Sequence, residues 1–246
     1  GFSIVGRERN GVFPIRGKLL NVHGMPTNKA LQNAEIKHLT QILGLDPRKT
    51  YDSDSVRSLP YERLVIFTDQ DHDGSHIMGL LLIWLQSFFP SLLKAKPDFV
   101  SRFATPIVRA SLSGQTHDFF SLPTFRSWLS SLPPSSPSPR VKYYKGLGTS
   151  TSAEGKAYFS DLGRHLIVVR HSGDPCFDTL DLFFSSSRSG ERKDALRHFD
   201  PESYVDYGEE VVTVKEWCRD ELTHFGYADN LRSLPHAIDG LKPSQR

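Results

Sequence analysis

The sequence predicts an α/β fold in which helices flank a parallel central sheet, and three consecutive features indicate it. Leu64–Phe67 is a short apolar run typical of a buried strand. The acidic stretch TDQDHDG (68–74) follows it, and then comes Ile77–Phe89, an almost wholly apolar helix that Pro90 is expected to end. A strand, a turn and a buried helix in that order form one α/β unit, so we expect the acidic stretch at the carboxyl end of a parallel strand.

The flanking segments supply further helices and strands. In residues 28–45 the apolar positions approximate helical spacing, and Gly44 is the expected end of that helix. Further strands are predicted in three places: Phe103–Ala110, His117–Leu122 and Val141–Tyr144. The stretch SLPPSSPSP (131–139) has the composition of a flexible surface loop.

Two capping boxes predict the starts of helices in the second half of the chain. TSAE (151–154) opens a helix that we expect to end near Gly163. TVKE (213–216) opens another helix, which we expect to end at Gly226. The residues between these two helices, 165–212, show no clear period, and we interpret them as irregular.

Composition and charge restrict the classes of function. Hydrophobic residues make up 38% of the chain and charged residues 24%, which is typical of a soluble globular protein. The formal net charge is only +2, so any binding of nucleic acid must rest on local basic patches. Cys176 and Cys218 form no metal-ligand pattern and suggest a reducing, intracellular setting. The longest apolar run is too short to cross a bilayer, so we predict no membrane partner.

The acidic stretch places Asp69, Asp71 and Asp73 at alternate positions. Two such charges about 7 Å apart repel by about 2 kcal/mol near a protein surface, so a bound cation is the first candidate to offset the repulsion. The pattern begins like an EF-hand calcium loop, but its twelfth position is Leu80 instead of Glu, and it follows a strand. A solvated turn that caps the next helix is the simpler alternative, although one Asp would suffice for it. Hard carboxylate oxygens suit Mg²⁺ shared with a phosphate, so the pattern favours that class of site.

Basic residues near the start of the chain indicate the same chemistry. RGKLLN offers the guanidinium of Arg16, the ammonium of Lys18 and the amide of Asn21. Taken alone this is equally typical of a solvated turn, but beside a metal site such groups can bind a phosphate and stabilise its developing charge. KGLGTS (145–150) resembles a phosphate cradle, yet it completes neither a Walker A motif nor a dinucleotide fingerprint. No Walker A motif occurs elsewhere, so we predict no P-loop nucleotide site in this chain.

Six segments together resemble eukaryotic-type DNA topoisomerase II, a type IIA topoisomerase. In chain order they are GVFPIRGKLLNV, NAEI, IFTDQDHDGSHI, PSLL, KYYKGLGTSTS and RSLPHAIDGLKPSQR. The first, third and fifth are the most specific, and the resemblance spans essentially the whole chain. Bacterial gyrase and topoisomerase IV share the alternating aspartates and the KGLG element. The exact sequences TDQDHDGSHI and GLGTSTS, however, resemble those of the eukaryotic enzymes.

The resemblance implies a Toprim fold and a division of the chain into three parts. Residues 1–165 would form the Toprim metal-binding domain with its extension, residues 166–212 an irregular connector, and residues 213–246 the truncated start of a helical winged-helix DNA-cleavage domain. The chain begins in mid-pattern without a Met, and we interpret it as part of a larger enzyme. The family's further metal-binding glutamate and its nucleophilic tyrosine match no residue here, so we expect this stretch alone to be inactive.

The resemblance also implies roles for individual residues. The carboxylates implied to hold Mg²⁺ are Asp69 and Asp71, with Asp73 as a supporting carboxylate. Lys18 would stabilise charge at the scissile phosphate, and Arg16 would assist it. The residues implied to contact DNA are Lys18, Asn21 and Lys145.

The function implied by the resemblance is that of the Mg²⁺- and DNA-binding part of an ATP-dependent topoisomerase. Such an enzyme makes a transient double-strand break, passes a second duplex through it and religates the break. The full-length enzyme would bind ATP outside this chain, act as a homodimer on double-stranded DNA, and lie in the nucleus or alternatively in the mitochondrion. Two other functions stay open on the residues: a Toprim module of a primase or nuclease, and a non-catalytic acidic domain that binds an ion.

Overall fold

The computed structural model describes residues 2–239 of the chain. In chain order its strands are β1 (Leu64–Ile66), β2 (Val100–Phe103), β3 (Val108–Leu112), β4 (Gln115–Phe119), β5 (Arg140–Tyr143), β6 (Leu166–Arg170) and β7 (Val211–Thr213). Its α-helices are α1 (Phe2–Val5), α2 (Thr27–Ala30), α3 (Ala34–Ile42), α4 (Ser53–Arg57), α5 (His72–Phe88), α6 (Pro90–Ala95), α7 (Leu122–Ser131), α8 (Ser152–Ser160), α9 (Leu162–His165), α10 (Asp174–Phe184), α11 (Ser189–Arg197), α12 (Val214–Trp217) and α13 (Thr223–Asp239). A π-helical turn, Cys218–Leu222, joins α12 to α13.

The central sheet has the strand order β1-β2-β6-β7. β1 runs parallel to β2, with Leu64 opposite Val100, and β6 runs parallel to β7. β2 and β6 are antiparallel, with Phe103 opposite Leu166. The predicted α/β class is confirmed, and the sheet is mixed because β6 and β7 run in the direction opposite to β1 and β2.

The predicted unit of strand, acidic turn and buried helix is present as β1, residues 67–71 and α5. The helix begins at His72, before the predicted Ile77, because the side chain of Asp71 caps it. Met78, Ile83 and Leu85 on α5 are completely buried, and burying each such side chain contributes about 1.5–3 kcal/mol to folding. The helix therefore forms the centre of the core and fixes the acidic turn at its amino end.

A glycine allows α5 to lie close to the second half of the chain. A Cβ atom at Gly79 would stand 2.6 Å from Cζ of Phe184 on α10 and 3.1 Å from Cδ2 of Leu222 in the π-helical turn. Any larger residue would push these elements apart. The close packing brings α10 and the helices that follow it against the helix that carries the acidic turn.

A second, smaller sheet has the order β4-β3-β5 and packs on α7. Its core consists of Val108, Ala110 and Phe125. The strand predicted over 103–110 is in fact two strands in two sheets, and Pro106 lies in the break between them. Proline cannot donate a ladder hydrogen bond, which explains why a continuous strand does not form there.

The segment predicted to be irregular, 165–212, contains regular structure. It provides β6, which pairs with β2 and β7 inside the central sheet, and the helices α10 and α11. The interpretation of this segment as an irregular connector was therefore wrong. Its strand is recognisable only through long-range pairing, because five residues are too short for a clear period.

Gly226 does not end the helix that begins after Thr213. α13 continues through it to Asp239. A Cβ at Gly226 would lie 3.2 Å from Cδ2 of Leu196 on α11, so the glycine serves close helix packing. A glycine inside a helix costs only about 1 kcal/mol relative to alanine, which this contact can offset. Both capping boxes are confirmed, and residues 240–246 of the predicted winged-helix start lie outside the described residues.

None of the helices within residues 2–239 combines the length and the apolar character needed to span a membrane.

Candidate functional site

The acidic turn is built so that only glycine fits its last position. Asp71 Oδ1 accepts a hydrogen bond from the backbone N–H of Gly74 at 2.7 Å, and the Asp71 carbonyl accepts from the N–H of Ser75 at 3.0 Å. A Cβ at Gly74 would overlap the carbonyl oxygen of Asp69. The turn thus folds back on itself between β1 and α5 and presents its carboxylates at the end of the strand.

The KGLGTS loop (145–150) packs against the first of these carboxylates. Asp69 Oδ1 accepts a hydrogen bond of 2.7 Å from the backbone N–H of Leu147. Gly146 has a φ of +145°, and a Cβ there would stand 2.7 Å from Cγ of Asp69. A side chain at Gly146 would therefore displace the carboxylate. The structure brings together two features that lie far apart in the sequence.

Two cations converge on the third carboxylate. Nζ of Lys18 lies 2.8 Å from Oδ1 of Asp73, and Nη1 of Arg232 on α13 lies 2.9 Å from Oδ2. Hydrogen bonds from Arg232 and Lys18 hold the pKa of Asp73 well below its usual range. Nζ of Lys18 also lies 5.1 Å from the centre of the Phe225 ring. The carboxylate holds both cations beside the acidic turn.

The other predicted site residues lie in different surroundings. Arg16 is exposed, and its backbone N–H donates to Oε1 of Glu35 at 3.0 Å. The side-chain amide of Asn21 donates to the carbonyl of Phe184 at 2.9 Å, which anchors the RGKLLN segment to the end of α10. Lys145 is exposed at the start of the KGLGTS loop. Their contacts with DNA stay predictions.

A buried polar network holds the first turn of α5 from behind. The hydroxyl of Ser75 donates to Oε2 of Glu221, and the hydroxyl of Tyr207 donates to Oε1 at 3.0 Å. Nη1 of Arg102 donates to the Tyr207 oxygen at 2.6 Å and lies 3.4 Å from Oε2 of Glu221. Burial raises the pKa of Glu221, but the charge of Arg102 together with the hydrogen bonds from Ser75, Tyr207 and Arg102 outweighs burial and lowers the pKa below its usual value. This network ties the acidic turn to the π-helical turn.

With this geometry established, comparisons with known proteins identify the family. Residues 103–230, more than half of the chain, match the family model TOPRIM_C, the C-terminal associated domain of TOPRIM. The chain belongs to the TOPRIM_C family. The acidic turn of this TOPRIM_C chain precedes the matched residues.

The relatives of this TOPRIM_C chain are named DNA topoisomerase 2 or topoisomerase II. It is 44% identical over 260 residues to DNA topoisomerase 2-alpha of Sus scrofa and covers 17% of that protein. It is 43% identical to the mitochondrial DNA topoisomerase 2 of Dictyostelium discoideum, of which it covers 19%. Its fold matches the crystal structure of the Plasmodium falciparum topoisomerase II DNA-binding, cleavage and re-ligation domain with a TM-score of 0.87 and 42% identity, over 100% of this chain and 33% of that one. The predicted resemblance to eukaryotic-type DNA topoisomerase II is confirmed, and the chain spans less than a fifth of these curated relatives.

Sequence reasoning missed Arg232 of the TOPRIM_C chain. The residue begins the segment RSLPHAIDGLKPSQR, which the resemblance uses, but nothing local gives it a role. Its partner Asp73 is 159 positions away, and only the packing of α13 on α5 brings the two together. The pair therefore cannot be predicted from local sequence without knowing how these two helices pack.

The donor set of the TOPRIM_C chain fits Mg²⁺ bound jointly with a phosphate. Within the described residues no cluster of three or more His, Cys, Asp or Glu side chains is arranged to hold a metal alone. Mg²⁺ commonly takes one or two carboxylates and completes its shell with water and phosphate oxygens. Asp69 and Asp71 are exposed, and each uses one carboxylate oxygen in the hydrogen bonds above, which leaves one oxygen of each available to a metal; their role as Mg²⁺ ligands stays a prediction. In this structure the oxygens of Asp73 bind Lys18 and Arg232, and its supporting role toward Mg²⁺ stays a prediction.

Proposed function

We propose that this chain is the Mg²⁺- and DNA-binding part of an ATP-dependent type IIA DNA topoisomerase. The full enzyme would cut both strands of one duplex, pass a second duplex through the break and religate it. The observation that carries the proposal is the meeting of the acidic turn, the KGLGTS loop and Lys18 at the end of β1. The similarity of the whole chain to proteins named DNA topoisomerase 2 supports this class over a primase or nuclease module.

In this proposal some residues of the site bind the metal and others bind the DNA phosphate. Asp69 and Asp71 would hold Mg²⁺, which when bound stabilises negative charge on the reacting phosphate oxygens. Lys18 and Arg232 would bind the DNA phosphate, because Asp73 holds both cations at one edge of the acidic turn. Lys18 would stabilise charge that develops in the transition state, with Arg16 assisting. Asn21 and Lys145 would contact the DNA backbone on either side.

The cellular setting forms part of the same proposal. ATP would bind elsewhere in the full-length enzyme, and the enzyme would be a homodimer. A nuclear location is proposed for this eukaryotic-type chain. A mitochondrial location is the alternative, since one relative carries that word in its name.

The direct test is Mg²⁺- and ATP-dependent strand passage by the full-length polypeptide that contains this chain. The expected result is relaxation of supercoiled plasmid DNA that requires both Mg²⁺ and ATP, together with a covalent complex between protein and DNA when the reaction is stopped with detergent. Metal binding without DNA cleavage would support the non-catalytic alternative and would reject the proposal.

Changing Lys18 to Ala should lower the DNA-cleavage rate of the full-length enzyme by about 10²-fold, because removing one preorganised charge stabiliser costs that much. DNA affinity should fall much less, since the charge acts mainly on the barrier. Single-turnover cleavage and equilibrium binding, measured side by side, separate the two effects. Lys37→Ala, an exposed lysine on α3, is the matched control. Equal losses of rate and affinity would reduce Lys18 to a simple backbone contact.

DNA binding should weaken steeply with salt, because each lysine or arginine on a phosphate releases counterions. Three cationic contacts with phosphates, from Lys18, Arg232 and Lys145, predict a slope of about −2.7 in log K against log salt. This slope corresponds to about a 40-fold loss of affinity between 50 and 200 mM salt. Lys18→Ala should flatten the slope by about one unit. Fluorescence anisotropy with duplex DNA measures both. A flat response in the unmodified protein would argue against DNA as the ligand.

A further inference from the structure

One partly buried carboxylate, that of Glu154, joins both ends of the KGLGTS loop. Its Oε1 accepts hydrogen bonds from the Tyr144 hydroxyl at 2.6 Å, from Nζ of Lys142 at 2.9 Å and from Nη1 of Arg109 at 3.2 Å. Its Oε2 accepts from the Thr151 N–H at 2.7 Å, from Nζ of Lys142 at 2.9 Å and from the Thr151 hydroxyl at 3.1 Å. The side chain is only 14% exposed. An ionised carboxylate offers about four lone-pair sites, so these hydrogen bonds use its full capacity as an acceptor.

These contacts exceed what a helix cap requires. The capping box of α8 uses only Oε2, through Thr151. Oε1 instead faces β3 and β5 of the smaller sheet. Burial would raise the pKa of Glu154, but the hydrogen bonds from Tyr144, Thr151 and Lys142 outweigh it and lower the pKa to about 2. The carboxylate is therefore ionised at neutral pH and accepts all these bonds as an anion.

The two ends that Glu154 joins are the ends of the loop beside Asp69. Tyr144 immediately precedes residues 145–150, and Thr151 immediately follows them. Inside the loop, Leu147 donates its N–H to Asp69 Oδ1 at 2.7 Å. The position of that N–H depends on where the two ends of the loop are held. Glu154 holds both with a single carboxylate.

We propose that Glu154 is a positioning residue for the acidic site. By fixing both ends of the KGLGTS loop it sets the position of the Leu147 N–H, and through that hydrogen bond it sets the orientation of the Asp69 carboxylate. The inference rests on the proposed function insofar as Asp69 holds Mg²⁺. Residues that orient a metal ligand in this way typically change metal affinity 10- to 100-fold when they are replaced.

The test compares Glu154→Gln with Asp118→Asn in the full-length polypeptide. Gln keeps the shape of Glu but loses the charge and places an amide donor against Lys142 and Tyr144. Asp118 is the matched control, because it also pairs with Arg109 in the smaller sheet, at 2.6 Å, but within the described residues it makes no hydrogen bond or ion pair with the loop. We expect Glu154→Gln to raise the Mg²⁺ concentration for half-maximal DNA cleavage about tenfold, with DNA affinity changed less than about twofold. Asp118→Asn should leave the Mg²⁺ requirement unchanged.

A second measurement does not depend on activity. Hydrogen–deuterium exchange of the peptide that contains residues 145–150 should quicken in Glu154→Gln and stay as in the unmodified protein in Asp118→Asn. If Glu154→Gln fails to fold, Tyr144→Phe removes a single donor to Oε1 and should shift exchange and the Mg²⁺ requirement in the same direction by a smaller factor.

The outcomes separate this inference from the proposed function. Unchanged exchange of the loop in Glu154→Gln overturns the inference, as does an equal shift of the Mg²⁺ requirement in both variants. Absence of Mg²⁺-dependent cleavage in the unmodified protein rejects the proposed function instead, and the exchange experiment then still decides whether Glu154 holds the loop.

Discussion

Asp69→Asn and Asp71→Asn are each expected to lower the rate of Mg²⁺-dependent DNA cleavage by about 10³-fold in the full-length enzyme. A metal on the reacting oxygens contributes several kcal/mol to transition-state stabilisation, and about 4 kcal/mol corresponds to about three decades of rate. The measurement is single-turnover cleavage over a titration of Mg²⁺, with DNA present.

These two substitutions remove the negative charge but should keep the hydrogen bonds that each side chain accepts. Asn retains an oxygen that can accept the hydrogen bond from Leu147 in place of Asp69, or from Gly74 in place of Asp71. Asn is also a favourable helix N-cap, so α5 should keep its start in Asp71→Asn. Loss of activity with an unchanged melting temperature is thus the expected combination. Asp54→Asn, which alters a carboxylate that is 88% exposed on α4, serves as the control. Variants that keep the metal dependence of the unmodified enzyme would remove both residues from the metal site.

Arg102→Met is expected to cost about 3 kcal/mol of folding free energy. The arginine is completely buried, and its removal leaves the carboxylate of Glu221 with Tyr207 and Ser75 but without a cation. Breaking a buried ion pair from one side typically costs about 3–5 kcal/mol. The lower end of that range applies because two hydroxyl donors remain and the Glu221 side chain is 22% exposed. Urea denaturation of the unmodified and variant proteins measures the difference.

A double variant makes this stability prediction sharper. Arg102→Met combined with Glu221→Gln removes both charges, so the combination should be more stable than Arg102→Met alone. Within the described residues Nε and Nη2 of Arg102 have no hydrogen-bond partner, which means that Met gives up few satisfied bonds. Arg197→Ala, at an exposed pair with Asp194, should change the stability by less than about 0.5 kcal/mol. A double variant less stable than Arg102→Met would show that the network does not act through charge pairing.

The features that sequence reasoning predicted are those that local chemistry determines. The strand that begins at Leu64, the helix His72–Phe88 that follows it and both capping boxes depend on residues within a few positions of one another. The expectation that this strand is buried was wrong, because β1 lies at the edge of the sheet and Val65 is 42% exposed. The α/β class followed from their order. The acidic stretch was recognisable because three alternate aspartates have few structural uses.

The features that escaped prediction depend on packing between distant segments. Arg232 meets Asp73, and Arg102 meets Glu221, only after α13 and the π-helical turn pack on α5 and β2. Gly226 has the identity of a helix terminator, but the neighbour that explains it, Leu196, belongs to another helix. Glu154 could be predicted as a cap, whereas its bonds to β3 and β5 could not, because those strands pair across intervening loops.

The π-helical turn Cys218–Leu222 determines which side of α13 faces the carboxylates. Each residue of an α-helix advances about 100° around the axis, so losing one residue from this turn would rotate everything after it by that angle. Arg232 would then point away from Asp73, even though its own sequence and its own helix were unchanged. The rotation of α13 about its axis, and with it the position of Arg232 beside Asp73, thus depends on a single irregular turn that ends ten residues before Arg232.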